Sequence, residues 1–149
     1  LKFTNIVSWL AMYHIPNRAK LLKIISNVLH NDGYLYSEDF YLKKNLNNIE
    51  KENLARLFHA NHLVSYECYL RELVNNNFKV LEIQDMTENW TFFTKNRLNN
   101  FKKNYNKHLK INDKITADNV LSFYTLAYKL LSNNIIGGIK YIIKKNEIC

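Results

Sequence analysis

An α/β fold is predicted by the order in which strand-like and helix-like stretches follow one another. Residues 3–39 open the pattern. A short apolar segment (Phe3, Ile6, Val7) is followed by Ala19, Leu22, Ile25, Val28 and Leu29 at helical spacing, then by Tyr34-Leu35-Tyr36-Ser37 closing on Glu38 and Asp39. Such a β-α-β unit makes its two strands parallel neighbours, with the helix across one face of the sheet. The rest of the chain continues the alternation, giving β-α-β-α-α-β-α-α-β in 149 residues. No repeat or low-complexity linker divides it, so a single domain is expected. In open sheets of this kind ligands gather at the carboxyl ends of the strands. Here those ends carry Ser8, Trp9 and His14 on one side and Glu38 and Asp39 on the other.

Each element has a local reason. The first strand reads as buried because its apolar residues run nearly unbroken. Pro16 falls where a first helical turn tolerates a missing N–H, and Asn31-Asp32-Gly33 is expected to stop that helix through a left-handed glycine. A polar connection over 42–48 leads to a short helix over 49–58, with Leu54, Leu57 and Phe58 on one face and His59-Ala60-Asn61-His62-Leu63 as its interruption. Ser65 is a good N-cap for the next helix, with Glu67 at the positive end of its dipole. Tyr66, Tyr69, Leu70, Leu73 and Val74 are its expected buried stripe, and Asn75-Asn76-Asn77 its left-handed end. Residues 78–83 form the third strand, with Asp85 just beyond. One long amphipathic helix is expected over 90–109, with Trp90, Phe93, Arg97, Phe101, Tyr105 and Leu109 inward and Lys95, Asn99, Lys102, Lys103 and Asn106 outward. Thr116 is expected to cap the following helix, which carries Val120, Phe123, Tyr124, Ala127, Leu130 and Leu131. The last strand spans 134–143, where Gly137-Gly138 signals a bulge or a close backbone approach.

Composition narrows the class. Hydrophobic residues at 47% and aromatics at 13% describe a folded chain. A formal charge of +8 raises nucleic acid or an anionic surface as partners. The lysines are scattered among Asn, Ile and Tyr, however, so the charge reads as solvated surface and nucleic acid is not the expected partner. A non-catalytic basic binder of RNA or single strands is the reading from a different class. Cys68 and Cys149 form no disulfide framework, which suits a reduced, cytoplasmic protein. No apolar run approaches the roughly 18 residues of a membrane span, so no membrane partner is expected. Residues 1–13 are apolar behind a lysine, but Asn5 and Ser8 interrupt them and no small-residue cleavage site follows.

Several residues could carry chemistry. His14 lies just past a strand and just before a helix, where an imidazole can accept a proton from an amine or simply cap the helix. Glu38 and Asp39 could hold a cationic amine, or bond to loop amides. His59, Asn61 and His62 form a polar cluster without metal-ligand spacing, so no metal is expected. Arg97 lies between Phe93 and Phe101 on the expected inner face and needs a partner: a substrate carboxylate, held bidentately, or Asp85. Trp90 on the same face could cover a methylated ammonium or pack in the core.

The pattern Ser8-Trp9-Leu10, His14-Ile15-Pro16-Asn17-Arg18, Val28-Leu29, Asp32-Gly33-Tyr34-Leu35-Tyr36 and Asp39-Phe40 resembles the second half of a class I S-adenosylmethionine-dependent methyltransferase. Gln84-Asp85-Met86-Thr87-Glu88-Asn89-Trp90 with Phe93 and Arg97-Leu98, then Phe123-Tyr124 and Gly137-Gly138-Ile139, resemble the glycine/sarcosine/dimethylglycine N-methyltransferase family. The resemblance covers nearly the whole chain. It implies the C-terminal half of a Rossmann-like sheet, strands 4, 5, 7 and 6 of that fold, with a helical lid over 86–133 inserted between the last two strands. It implies S-adenosylmethionine as methyl donor, a small amine as substrate, and Ser8, Trp9 and Leu10 against the cofactor. His14 would be catalytic, and Asp39, His59, Asn61, Trp90 and Arg97 would shape the amine site. The paired acid that phosphoethanolamine methyltransferases carry before this histidine is Leu10 here. His59 and Asn61 stand where those phosphobase enzymes, the runner-up reading, carry Arg and Tyr groups that grip phosphate.

The Gly-rich turn that the family places after its first strand has no counterpart, since the three glycines are Gly33, Gly137 and Gly138. The chain is therefore expected to be a portion whose partner is the N-terminal half of the same fold. Alone it should bind cofactor poorly, fail to turn over, and associate through the bare edge of its first strand.

Overall fold

The computed structural model describes residues 1–146. Its sheet holds β1 (Phe3–Trp9), β2 (Leu29–Leu42), β3 (Phe78–Asp85) and β4 (Ile136–Lys145) in the order β1-β2-β4-β3. β1 runs parallel to β2, and β4 is antiparallel to both its neighbours. That is the order and polarity expected for strands 4, 5, 7 and 6. The helices are α1 (Arg18–Val28), α2 (Asn48–Phe58), α3 (Tyr66–Asn75), α4 (Thr87–Lys103), α5 (Tyr105–Ile111) and α6 (Lys114–Ser132), with α4 to α6 forming the insertion between β3 and β4.

The period of two along a strand sorts the sheet into two faces. Leu35, Ser37 and Asp39 pair with Ile143, Tyr141 and Ile139. All six are buried, packed with Leu22, Ile25, Tyr69 and Leu73 of α1 and α3. A second apolar cluster joins Tyr13, Phe40, Leu54, Phe58, Ala127, Leu130 and Leu131 where α2 and α6 meet the strand ends. Arg18 ties α1 to α3. Its guanidinium meets Glu72 at 2.7 Å, donates to the His62 carbonyl at 2.8 Å, and lies 4.8 Å over the Tyr69 ring.

Several local expectations are corrected. β1 is not a buried strand: Val7 and Trp9 are 60% and 66% exposed. It has one strand neighbour among the described residues, and alternate side chains point away from the covered face. α1 is capped by the Asn17 side chain, which accepts from the Lys20 N–H at 2.9 Å, so Pro16 precedes the cap. α1 ends at Val28 without a glycine. Gly33 lies inside β2 with no positive φ, so pressed on its neighbours that an added Cβ would meet Leu29 Cδ2 at 2.9 Å. Because β2 continues to Leu42, Glu38 and Asp39 lie within the strand and do not terminate it.

α2 is fastened by a reciprocal cap between Asn47 and Glu50 and ends on a left-handed His59. α3 starts at the expected Ser65 cap and is followed by a left-handed Asn77, but Val74 is 62% exposed. The helix expected over 90–109 is two helices, divided at Asn104. The buried residues of α4 are Thr87, Thr94, Leu98 and Phe101, so Phe93 and Arg97 are not inward residues. α6 is capped by Asp113, whose carboxylate accepts from the Thr116 N–H at 2.8 Å, and not by Thr116. Cys149 lies outside the described residues, and Cys68 is a free thiol. Among the described residues no helix is long and apolar enough to cross a membrane.

Candidate functional site

Trp9 of β1, Glu38 and Phe40 of β2, and facing residues of α4 and α6 border a cavity of about 510 Å³. Its wall consists of Trp9, Leu10, Glu38, Phe40, Asn89, Trp90, Phe93, Thr94, Phe123, Tyr124 and Ala127. Both tryptophans of the chain are among them.

The backbone sets this wall up in three places. At the end of β1, Leu10 takes a left-handed conformation, φ 49°, while its N–H donates to the Glu38 carbonyl at 2.9 Å. A branched side chain in that region costs about 1–2 kcal/mol, and such strain persists where the surroundings hold it. In β2, alternation turns Glu38 to the same side as Trp9, its partner in register, and Glu38 accepts from the Tyr36 hydroxyl. Trp9 meets the Tyr36 ring edge-on at 6.3 Å. In β4, the glycine pair allows the close approach that its sequence suggests. A Cβ on Gly138 would lie 2.5 Å from Trp90 Cδ2, and one on Gly137 would lie 2.5 Å from Thr87 Oγ1. The bare backbone lets the indole lie against β4, where Phe40 meets it edge-on at 5.0 Å.

Asp39 occupies a different setting from Glu38 beside it. It is fully buried, and its carboxylate accepts from the Tyr13 N–H, the Phe40 N–H and the Tyr69 hydroxyl, each at 3.0 Å. Burial pushes its carboxyl up to about 6, although those hydrogen bonds act in the opposite direction. Burial, then the neighbouring Asp39 charge, raises the Tyr13 phenol to about 12. This group closes the core and carries the short 3-10 turn Met12–His14 on the Tyr13 amide.

Of the residues expected to form a site, the structure brings Trp9, Leu10 and Trp90 together at the cavity. Ser8 pairs with Ser37 on the covered face, one residue out of phase with Trp9. His14 is exposed, its ring tilted 39° against Tyr13 with centroids 4.0 Å apart, and donates from Nδ1 to the His59 carbonyl at 3.1 Å. His14, His59 and Asn61 are absent from the cavity wall. Asp39 faces the core. Arg97 is exposed over the Phe93 ring at 5.1 Å and borders a separate groove with Lys107 and His108. Asp85, its alternative partner, is engaged elsewhere by Lys43 and Tyr41, each at 2.9 Å, and by Thr87. Burial pushes the Asp85 carboxyl up, but hydrogen bonds from Thr87, Lys43 and Tyr41 more than offset it and bring it down to about 2.

Phe40, Asn89, Phe93, Thr94, Phe123, Tyr124 and Ala127 were not singled out as site residues. The signal for part of this wall was the glycine pair, since a strand that sheds two side chains makes room for large neighbours. For Phe93 the helical period pointed to the core, and only the packing of α4 on α6 turns it to the cavity.

No protein-family model matches the chain, and no curated protein matches it in sequence. Solved structures do match in three dimensions. Phosphoethanolamine N-methyltransferase 2 of Haemonchus contortus, solved with phosphomonomethylethanolamine and S-adenosylhomocysteine, superposes with a TM-score of 0.87 at 15% identity over 97% of this chain and 34% of that one. The cyclopropane synthase MmaA2 of Mycobacterium tuberculosis gives 0.86 at 14% identity, over 97% of this chain and 56% of that one. A protein assigned as a sarcosine dimethylglycine methyltransferase from Galdieria sulphuraria gives 0.83 at 11% identity, over 99% and 54% respectively. The fold is thus the Rossmann-like fold of these methyltransferases. The chain spans between 34% and 56% of the length of the three.

Proposed function

We propose that this chain forms the substrate-side part of an S-adenosylmethionine-dependent methyltransferase that methylates the nitrogen of a small amine. The observation that carries the reading is the aromatic cavity where Trp9, Glu38 and Phe40 of the sheet face α4 and α6. Ligands of open α/β sheets lie at this position, and an apolar wall suits a reaction that must exclude water.

Trp9 and Leu10 fit one side of the cofactor, because they present flat and apolar surface at the end of β1; Ser8, on the covered face, does not. When bound, S-adenosylmethionine supplies a methyl group activated on a sulfonium. The chain's own residues bind and orient. Trp90, Phe40 and Phe123 form the apolar wall, and the α4–α6 lid excludes water from the amine. Most of the acceleration then comes from holding the amine nitrogen in line for attack. His14, donating to the His59 carbonyl, holds the turn that follows β1 against the end of α2.

The glycine, sarcosine and dimethylglycine type of substrate is one member of this amine class, and the phosphobase type another. Neither anionic group has a cationic partner among the described cavity residues. The exposed outer edge of β1 is where the remaining part of the fold would add a strand. A cytoplasmic setting suits the free thiol of Cys68.

The test is a methylation assay on the natural gene product, with labelled S-adenosylmethionine and a panel of small amines. Label recovered on an amine nitrogen supports the reading. Binding of S-adenosylhomocysteine with no turnover of any amine overturns the amine assignment. Titration of the isolated 149-residue chain with S-adenosylhomocysteine should show little binding, since these residues offer one wall of the cofactor site. Micromolar affinity for a monodisperse monomer would overturn that expectation.

A further inference from the structure

We infer that this cavity takes the ammonium end of an amine with an apolar body and no acidic group. The inference rests on the methyltransferase reading for the fate of the ligand, but on the chain's own side chains for its recognition. In that reading the ammonium passes its proton to Glu38, the one carboxylate of the wall, before its nitrogen is methylated.

The contrast between surface and cavity carries the argument. The chain holds 21 Lys and Arg against 13 Asp and Glu, with five histidines besides. Among the described residues that line the cavity there is no Lys, Arg or His, and there is one carboxylate, Glu38. A ligand carboxylate or phosphate placed here would meet Glu38 with no cation among the lining residues to offset the repulsion. Lys140, across from Glu38 in register, is paired with Glu82 at 2.6 Å. Arg97, the guanidinium expected to receive a carboxylate, borders the other groove and covers one face of the Phe93 ring at 5.1 Å.

The rest of the wall suits a cation. Trp9, Phe40, Trp90 and Phe93 supply aromatic surface, and a ring attracts a cation through its negative face, most strongly where water is excluded. Gly138 is what permits the Trp90 indole to lie close against β4, so that ring is held by backbone geometry. The wall is otherwise largely apolar, which suits an apolar body behind the ammonium.

Because both tryptophans line the cavity, their fluorescence reports its occupancy without any turnover. Three probes of similar size separate the possibilities: choline, its uncharged analogue 3,3-dimethylbutan-1-ol, and glycine betaine, which adds a carboxylate. Choline should quench at about tenfold lower concentration than either of the others. Glu38→Gln should reduce that preference to about threefold, and Phe93→Ala should weaken choline binding several-fold; Phe93 is 56% exposed, so that variant keeps its packing. Equal binding of the neutral alcohol would make the cavity a plain apolar site and overturn the inference, as would tighter binding of betaine or an unchanged preference in Glu38→Gln. A choline preference in a gene product that transfers no methyl group would leave the inference standing and remove the methyltransferase reading.

Discussion

Glu38 and Asp39 are consecutive acids on one strand, and they do opposite things. Glu38 turns toward Trp9 and the cavity, where its company is the Tyr36 hydroxyl, aromatic surface and, across the strand pair, Lys140. Asp39 turns into the core, where two backbone amides and the Tyr69 hydroxyl saturate its carboxylate. Arg18 and Glu72 extend that closed polar group toward α3. A carboxylate enclosed by internal donors stabilises the strand–turn connection that it bonds. A carboxylate left on a cavity wall is available to a ligand. The side of the strand decides which of the two an acid becomes.

Substitution at the two acids tests this division most directly. Asp39→Ala leaves the Tyr13 and Phe40 amides and the Tyr69 hydroxyl without their acceptor in a buried place, and is expected to cost about 3 kcal/mol in a denaturant titration. Glu38→Ala should cost under about 1 kcal/mol. Equal losses would erase the distinction between the two sides.

The pH dependence of stability sharpens it. The Asp39 carboxyl sits near 6 in the folded chain, raised by burial above the unfolded value of about 4. Its contribution is therefore fully present below about pH 4 and is lost as pH rises through about 6. The stability advantage of the wild type over Asp39→Asn should narrow by about 2 kcal/mol between pH 4 and pH 7. Paired denaturation curves across that range check the sign. A gap that widens with pH would show that the hydrogen bonds outweigh burial.

On the cavity side, Gly138→Ala forces a methyl group onto the Trp90 indole. A stability loss of about 1–2 kcal/mol is expected, together with a blue or red shift of tryptophan emission as the indole moves. Arg97→Ala should have the smallest effect, within about 0.5 kcal/mol in stability and with no change in amine turnover, because that side chain is exposed outside the cavity. A large loss of turnover would return the guanidinium to the site.

Local chemistry was enough to place most elements. Ser65 caps α3, an asparagine after it turns left-handed, and β3 begins at Phe78, running two residues past the expected 78–83, because caps and short apolar runs depend on residues close in sequence. The parallel pairing of β1 with β2 follows from the connection through α1. The position of β4 between β2 and β3 does not follow from any local pattern; the resemblance to methyltransferases supplied it.

Which side each residue faces was a different kind of information. A strand's period is short, so a misplaced end does not change its sides, yet the side that is covered depends on where helices dock. Ser8 and Asp39 fall under α1 and α3, while Trp9 and Glu38 do not. On α4 the aromatic and charged residues permit more than one inward stripe, and contact with α6 chose Thr94, Leu98 and Phe101 over Phe93 and Arg97. The amino-acid sequence by itself therefore determined the strand and helix segments and the close approach at Gly137-Gly138, since propensity, capping and the space a side chain needs are local. Only the tertiary structure decided which acid faces the core, which aromatic rings face the cavity and where Arg97 lies, because burial is set by the partner each surface meets.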